Sequence, residues 1–154
     1  MIGKLVDGAL LVAEVVAKNK DAALKELLGV AQHGGGFVVK SQKGMGKRLL
    51  EREAIGSTGL GNGVAVPHVK SEDVSAVTLV LARSRPGIDW QAIDGRPVHI
   101  MFLLVSPLAE PEAHLRCLRW IATLARSADF RRFLLDSANT TAMRDLLREM
   151  APKE

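Results

Sequence analysis

Eight consecutive residues, Val98-His99-Ile100-Met101-Phe102-Leu103-Leu104-Val105, are apolar but for one histidine. A run this long without polar alternation reads as a central strand, and both of its faces must be covered. Pro107 closes the run, and His99 within it reads as a hydrogen-bonded sheet histidine rather than a ligand. Val74 to Arg83 reads as a second strand, broken by Pro86-Gly87. Val64-Ala65-Val66 is a third and shorter one, stopped by Pro67, which has no N–H for a ladder.

Helical patterns flank these strands. Asn19 suits the N-cap of a helix over about 20–32, with Ala23, Leu24, Leu27, Leu28 and Ala31 on its apolar stripe. Gly34-Gly35-Gly36 ends it, and His33 lies where a cation favours the helix dipole. Phe37-Val38-Val39 suggests a short strand or a packing anchor. A second helix is expected over about 43–54, with Met45, Leu49, Leu50 and Ala54 facing inward. From Pro111 a third runs to about Ala125 along Leu115, Leu118, Ile121, Ala122 and Ala125. Two more follow over about 129–135 and 141–150, capped by Ser127 and Thr140. Leu10-Leu11-Val12 and Val15-Val16 fit a strand or a helix equally. The expectation is a single α/β domain over 1–154, a three-layer α/β/α sandwich around a small mixed sheet. Residues 1–10 and 150–154 are expected to be loosely ordered ends. With 47% hydrophobic residues, a core of this size is affordable.

The net charge of +4 is mild, and Lys and Arg are interleaved with Glu and Asp. No basic run alternates with aromatics, so no nucleic-acid partner is expected. A weakly positive surface suits a phosphorylated or acidic protein partner. Cys117 is the only cysteine, which excludes an intramolecular disulfide and argues against a zinc cluster; it reads as a buried, inert thiol. The early apolar run from Ala9 to Ala17 is interrupted by Glu14, too short to span a membrane, and without an export-signal layout. A cytoplasmic protein that is not membrane-embedded is expected.

Four glycines fall within the eight residues Gly56 to Gly63, just before Val64-Ala65-Val66-Pro67-His68. Such a loop leaves backbone N–H groups sterically open, and an anion could sit there. His68 stands where a strand leaves the core. Two nucleotide motifs are excluded: Val64 breaks G-x-G-x-x-G, and Ser41 and Arg48 break the Walker loop around Gly46-Lys47. On spacing alone, a histidine after proline is usually only a surface residue, and a functional His68 is the less common reading. Arg52, in Glu51-Arg52-Glu53, could be a solvated charge or a neighbour of His68.

Several ordered motifs together carry a resemblance. Glu51-Arg52-Glu53, Ser57-Thr58-Gly59-Leu60-Gly61-Asn62-Gly63-Val64-Ala65-Val66-Pro67-His68, Ile88-Asp89-Trp90 with Asp94-Gly95-Arg96-Pro97-Val98, and His114-Leu115 occur in that order. From about Val12 to Arg148 the chain resembles the type 2 enzyme IIA domains, the fructose–mannitol–nitrogen class of the phosphoenolpyruvate-dependent phosphotransferase system. The resemblance implies that His68 is the phosphorylated residue, with His114 and Arg52 assisting and Thr58 with the loop amides as further donors. It implies a phosphohistidine carrier protein as donor, and an enzyme IIB or regulated target proteins downstream. No cofactor and no metal are implied. Val64, Val66 and Val69 depart from commoner family residues without touching the chemistry. Three functions stay open: a transport phosphocarrier, a regulator switched by phosphorylation, and a domain that keeps the fold without phosphotransfer. The absence of IIB, IIC or carrier segments from the sequence leans toward the regulator, and the joint presence of His68, His114 and Arg52 leans away from the third.

Overall fold

The computed structural model describes residues 1–35 and 42–153, so the reading of Phe37-Val38-Val39 lies outside the described residues. In chain order the elements are α1 (Ile2–Asp7), β1 (Leu10–Val12), α2 (Lys20–Gly34), α3 (Gln42–Ile55), β2 (Gly59–Gly61), β3 (Val64–Ala65), β4 (His68–Ser71), β5 (Thr78–Ile88), β6 (Val98–Pro107), α4 (Pro111–Arg126), α5 (Ala128–Asp136) and α6 (Thr140–Met150).

The apolar run is the centre of the sheet. β5 pairs antiparallel along one edge of β6; β3 and then β4 pair parallel along the other. β1 extends the sheet beyond β5 in parallel, and β2 pairs antiparallel with β3, so the sheet is mixed. The two faces separate cleanly by alternation. Ile100, Phe102 and Leu104 join Val64, Val66, Leu79 and Leu81 in a core with α1, α4, α5 and α6. Met101, Leu103 and Val105 join Ala65, Val69, Val80 and Ala82 in a second core with α2 and α3. The α/β/α sandwich follows from a central strand whose every second residue must be buried on each side. Each fully buried side chain of this size contributes about 1.5–3 kcal/mol relative to exposure.

Several local expectations are corrected. Residues 2–7 form α1, with Ile2, Leu5 and Val6 buried, so the N-terminal end is packed and not loose. Arg144 holds it by donating to the carbonyls of Val6, Asp7 and Ala9 at the helix end. Leu10–Val12 is a strand, settled by pairing with β5. β5 starts at Thr78, not Val74, and runs through Pro86-Gly87 to Ile88. The register shifts between Arg83 and Ile88, which frees Pro86 from a ladder position, and Gly87 takes a φ of +84° there. In α4 the buried stripe is His114, Cys117, Ile121 and Leu124, while Leu115 is exposed; a histidine occupies the core-facing register that a leucine was expected to fill. Ala54 is exposed. The cap of α6 is Asn139, whose side chain accepts from the Ala142 N–H, displacing Thr140 into the first turn. Asn19 and Ser127 cap as expected. Among the described residues, no helix is long and apolar enough to cross a membrane.

Candidate functional site

His68 owes its position to a break in one sheet edge. β3 ends at Ala65, and the chain resumes pairing only at His68. In the gap, the Val66 N–H donates to the Thr58 carbonyl (3.0 Å), and the Leu104 N–H donates to the Pro67 carbonyl (3.0 Å). Pro67 cannot donate, so it suits this interruption. Val66, His68 and Lys70 then share one face by strand alternation, and Val66 belongs to the core under α4. The His68 ring is half-buried on that side.

The ring is also held chemically. His68 Nδ1 lies 2.7 Å from the Val66 carbonyl oxygen. A carbonyl only accepts, so Nδ1 carries the hydrogen, and the neutral ring keeps its lone pair on Nε2. A second imidazole stands beside it: the ring centroids of His68 and His114 are 5.6 Å apart, tilted by 52°. His114 is the fourth residue of α4 and only 6% exposed. Its Nδ1 is 2.6 Å from Ser106 Oγ on β6. Burial, then repulsion from His68 when it is protonated and from Lys70, push its pKa down to about 4. His114 is therefore neutral near pH 7. When the Ser106 hydroxyl donates to Nδ1, the hydrogen sits on Nε2 of His114.

The other expected site residues divide. Arg52, near the end of α3, donates from Nη1 to the Gly56 carbonyl (2.7 Å). One turn earlier on the same helix face, Arg48 Nη1 reaches the Lys70 carbonyl of β4 (3.3 Å). α3 thus runs beside the strand that carries His68, with its arginines turned to backbone carbonyls. Thr58 is corrected: it is buried, and its hydroxyl donates to Glu53 Oε1, so it is not an open donor for an anion. Val69, next to His68, turns to the opposite face and is part of the core under α2 and α3. Leu60, between two of the loop glycines, is 46% exposed.

Glu53 is the residue the sequence reading missed. Its carboxylate accepts from the Thr58 N–H (3.1 Å) and hydroxyl, and pairs with Lys20 Nζ at 2.7 Å. Lys20 also donates to the carbonyl of the fully buried Trp90, and Trp90 Nε1 reaches Thr58 Oγ1 at 3.4 Å. A signal was available: Met45, Leu49 and Glu53 recur every four residues, which puts an acid on the buried stripe, where it needs partners.

The sequence profile of the phosphoenolpyruvate-dependent sugar phosphotransferase system, EIIA 2, matches residues 4–150. The chain belongs to that family. It is similar to the fructose-specific EIIA component of Haloferax volcanii, 34% identical over 132 residues that cover 86% of this chain and 84% of that one. It is also similar to a nitrogen regulatory protein of Bradyrhizobium diazoefficiens, 32% identical over 146 residues, 95% of this chain and 94% of that one. A match to the fructose-specific EIIABC component of Bacillus subtilis, 27% identical over 135 residues, takes in 88% of this chain and only 21% of that longer protein. Among solved structures, the nitrogen regulatory protein IIA-Ntr of Neisseria meningitidis superposes with a TM-score of 0.79 at 26% identity, covering 95% of this chain and 98% of that one. The fold is shared, at 15% identity and a TM-score of 0.76, with enzyme IIA of Escherichia coli solved in complex with phosphorylated enzyme IIB for mannitol, covering 90% and 94%. In this EIIA fold, the paired imidazoles stand on β4 and α4.

Proposed function

We propose that this EIIA-family chain is a cytoplasmic phosphocarrier that accepts a phosphoryl group on Nε2 of His68 from a phosphohistidine carrier protein. The observation that carries the reading is the fixed ring: Nδ1 of His68 is 2.7 Å from the Val66 carbonyl, beside a buried neutral His114. The lone pair on Nε2 attacks phosphorus, the donor's N–P bond breaks, and the new N–P bond forms on Nε2. The hydrogen on Nδ1 stays, and the Val66 carbonyl supports the positive charge the ring gains. Transfer of this kind needs positioning and charge stabilisation more than covalent help.

His114 then donates Nε2–H to a phosphoryl oxygen, with Ser106 holding the opposite nitrogen. Arg52 exchanges the Gly56 carbonyl for a phosphoryl oxygen, to which its planar fork is better suited. Thr58 acts through the loop it anchors and not by touching phosphate. From His68 the group passes to an enzyme IIB, or its presence switches binding to regulated proteins. Relatives of both kinds align over most of this chain, and the proposed step at His68 serves either reading.

Incubation with phosphoenolpyruvate and the two general proteins of the system, followed by intact mass, tests this. The protein should gain one acid-labile phosphoryl group, and His68→Ala should gain none while staying folded. Arg52→Ala should gain it roughly 10²-fold more slowly, the usual cost of one transition-state donor. Acid-labile phosphate on His68→Ala would refute the assignment.

A further inference from the structure

Three hydrogen-bonding steps connect the Lys20–Glu53 ion pair to the His68 ring. Lys20 Nζ pairs with Glu53 at 2.7 Å. Glu53 takes both the N–H and the hydroxyl of Thr58. The Thr58 carbonyl accepts from the Val66 N–H at 3.0 Å. The Val66 carbonyl accepts from His68 Nδ1 at 2.7 Å. Between the Lys20 and His68 ends the links run through backbone and the buried side chains of Glu53 and Thr58, so little slack is available along them. Glu53 sits on α3 and Val66 belongs to the gap between β3 and β4, so the links join elements that no local sequence rule connects.

From this geometry we infer that Glu53, anchored by Lys20, is a positioning residue that fixes the tautomer of His68 by holding Thr58 and hence the Val66 carbonyl. The inference rests on His68 as phosphoacceptor. Glu53 touches neither the ring nor a phosphoryl group. Its effect is to keep one carbonyl where only Nδ1–H can meet it, which reserves Nε2 for attack. Without that carbonyl, the neutral ring redistributes its hydrogen between the two nitrogens. Every molecule with the hydrogen on Nε2 is then unable to attack from that atom.

The test is long-range proton–nitrogen NMR of the unphosphorylated protein, with the carrier-dependent phosphorylation rate measured beside it. The wild-type His68 ring should be in the Nδ1–H form. Glu53→Ala should give a mixture, with the ring of the remote His99 unchanged as the mark of an intact fold. The maximal rate should fall roughly 10- to 100-fold, the cost of a small misplacement, with the carrier KM unchanged. Where truncation prevents folding, Lys20→Met with Glu53→Met removes both charges at similar volume and carries the same expectation. A folded variant that keeps the wild-type tautomer overturns the inference, whatever its rate. So does an altered tautomer with an unchanged rate. Because the ring is read without phosphate, the tautomer result stands apart from whether His68 is phosphorylated at all.

Discussion

His114 is held neutral by its surroundings, and this has a consequence for stability. Its pKa is about 4 in the folded protein and 6.5 in water, with burial the first cause and the charges of His68 and Lys70 next. Between these values the unfolded chain binds a proton that the folded chain refuses. The contribution is therefore complete above pH 6.5 and is lost as the pH falls toward 4. A difference of this size is worth about 3 kcal/mol. Urea unfolding at pH 7 and pH 4 should differ by about that amount more in the wild type than in His114→Gln; equal pH dependence in the two proteins would contradict it. At this scale the sequence puts His68 where a strand leaves the core, and the chain resumes pairing there at the start of β4. It misled where an ionisable side chain lies inside. Glu53 enters the sequence reading only as part of Glu51-Arg52-Glu53, with no role of its own, yet it is buried against Lys20 and Thr58. The resemblance implies Thr58 as a further donor to phosphate, but its hydroxyl proton goes to Glu53.

The elements that position the site are mostly too short to announce themselves. β6 was legible because nine of its ten residues are buried, on two faces. β2 and β4 have three and four residues, and no periodicity can be read over so few. They exist because β3 and β6 offer edges to pair with. β5 was cut short by reading Pro86-Gly87 as a stop, when a register shift accommodates both. Gly59 in β2 is where the loop has least room. A Cβ added there would lie 2.7 Å from the Ala92 side chain and 2.9 Å from its Cα. Backbone cannot yield as a side chain can, so Gly59→Ala should destabilise by about 1–3 kcal/mol. Its own carbonyl accepts from the Ile93 N–H, so the same change should disturb the loop that holds Trp90. Denaturant midpoints and the Trp90 fluorescence spectrum would check this; an unshifted midpoint would show that the loop has slack.

For the molecule as a whole, the sandwich sets an ionisable pair at the edge of a rigid sheet, where a protein donor can approach. An apolar cavity of about 540 Å³ lies between α2 and α3, lined by Leu24, Leu28, Leu49 and Leu50, on the opposite side of the sheet from His114. The His68 ring is half-buried at the surface, as transfer between two proteins requires. Leu60, 46% exposed on β2 within the glycine-rich stretch, is the apolar side chain expected to meet the carrier. Leu60→Asp should raise the carrier KM with the maximal rate and the fold unchanged, in steady-state phosphotransfer; an unchanged KM would move the docking surface elsewhere. The three-layer architecture was legible from one strand and its flanking helical stripes, because burial on two faces leaves few alternatives. Partner choice was not, since it depends on which exposed side chains meet another molecule. The most direct measurement is the position of the phosphoryl group on the phosphorylated protein, by phosphorus–nitrogen NMR with peptide mapping under alkaline conditions. The expected result is a single N–P bond at Nε2 of His68, with hydrogen on Nδ1; phosphate on Nδ1 of His68, or on His33, His99 or His114, would contradict it.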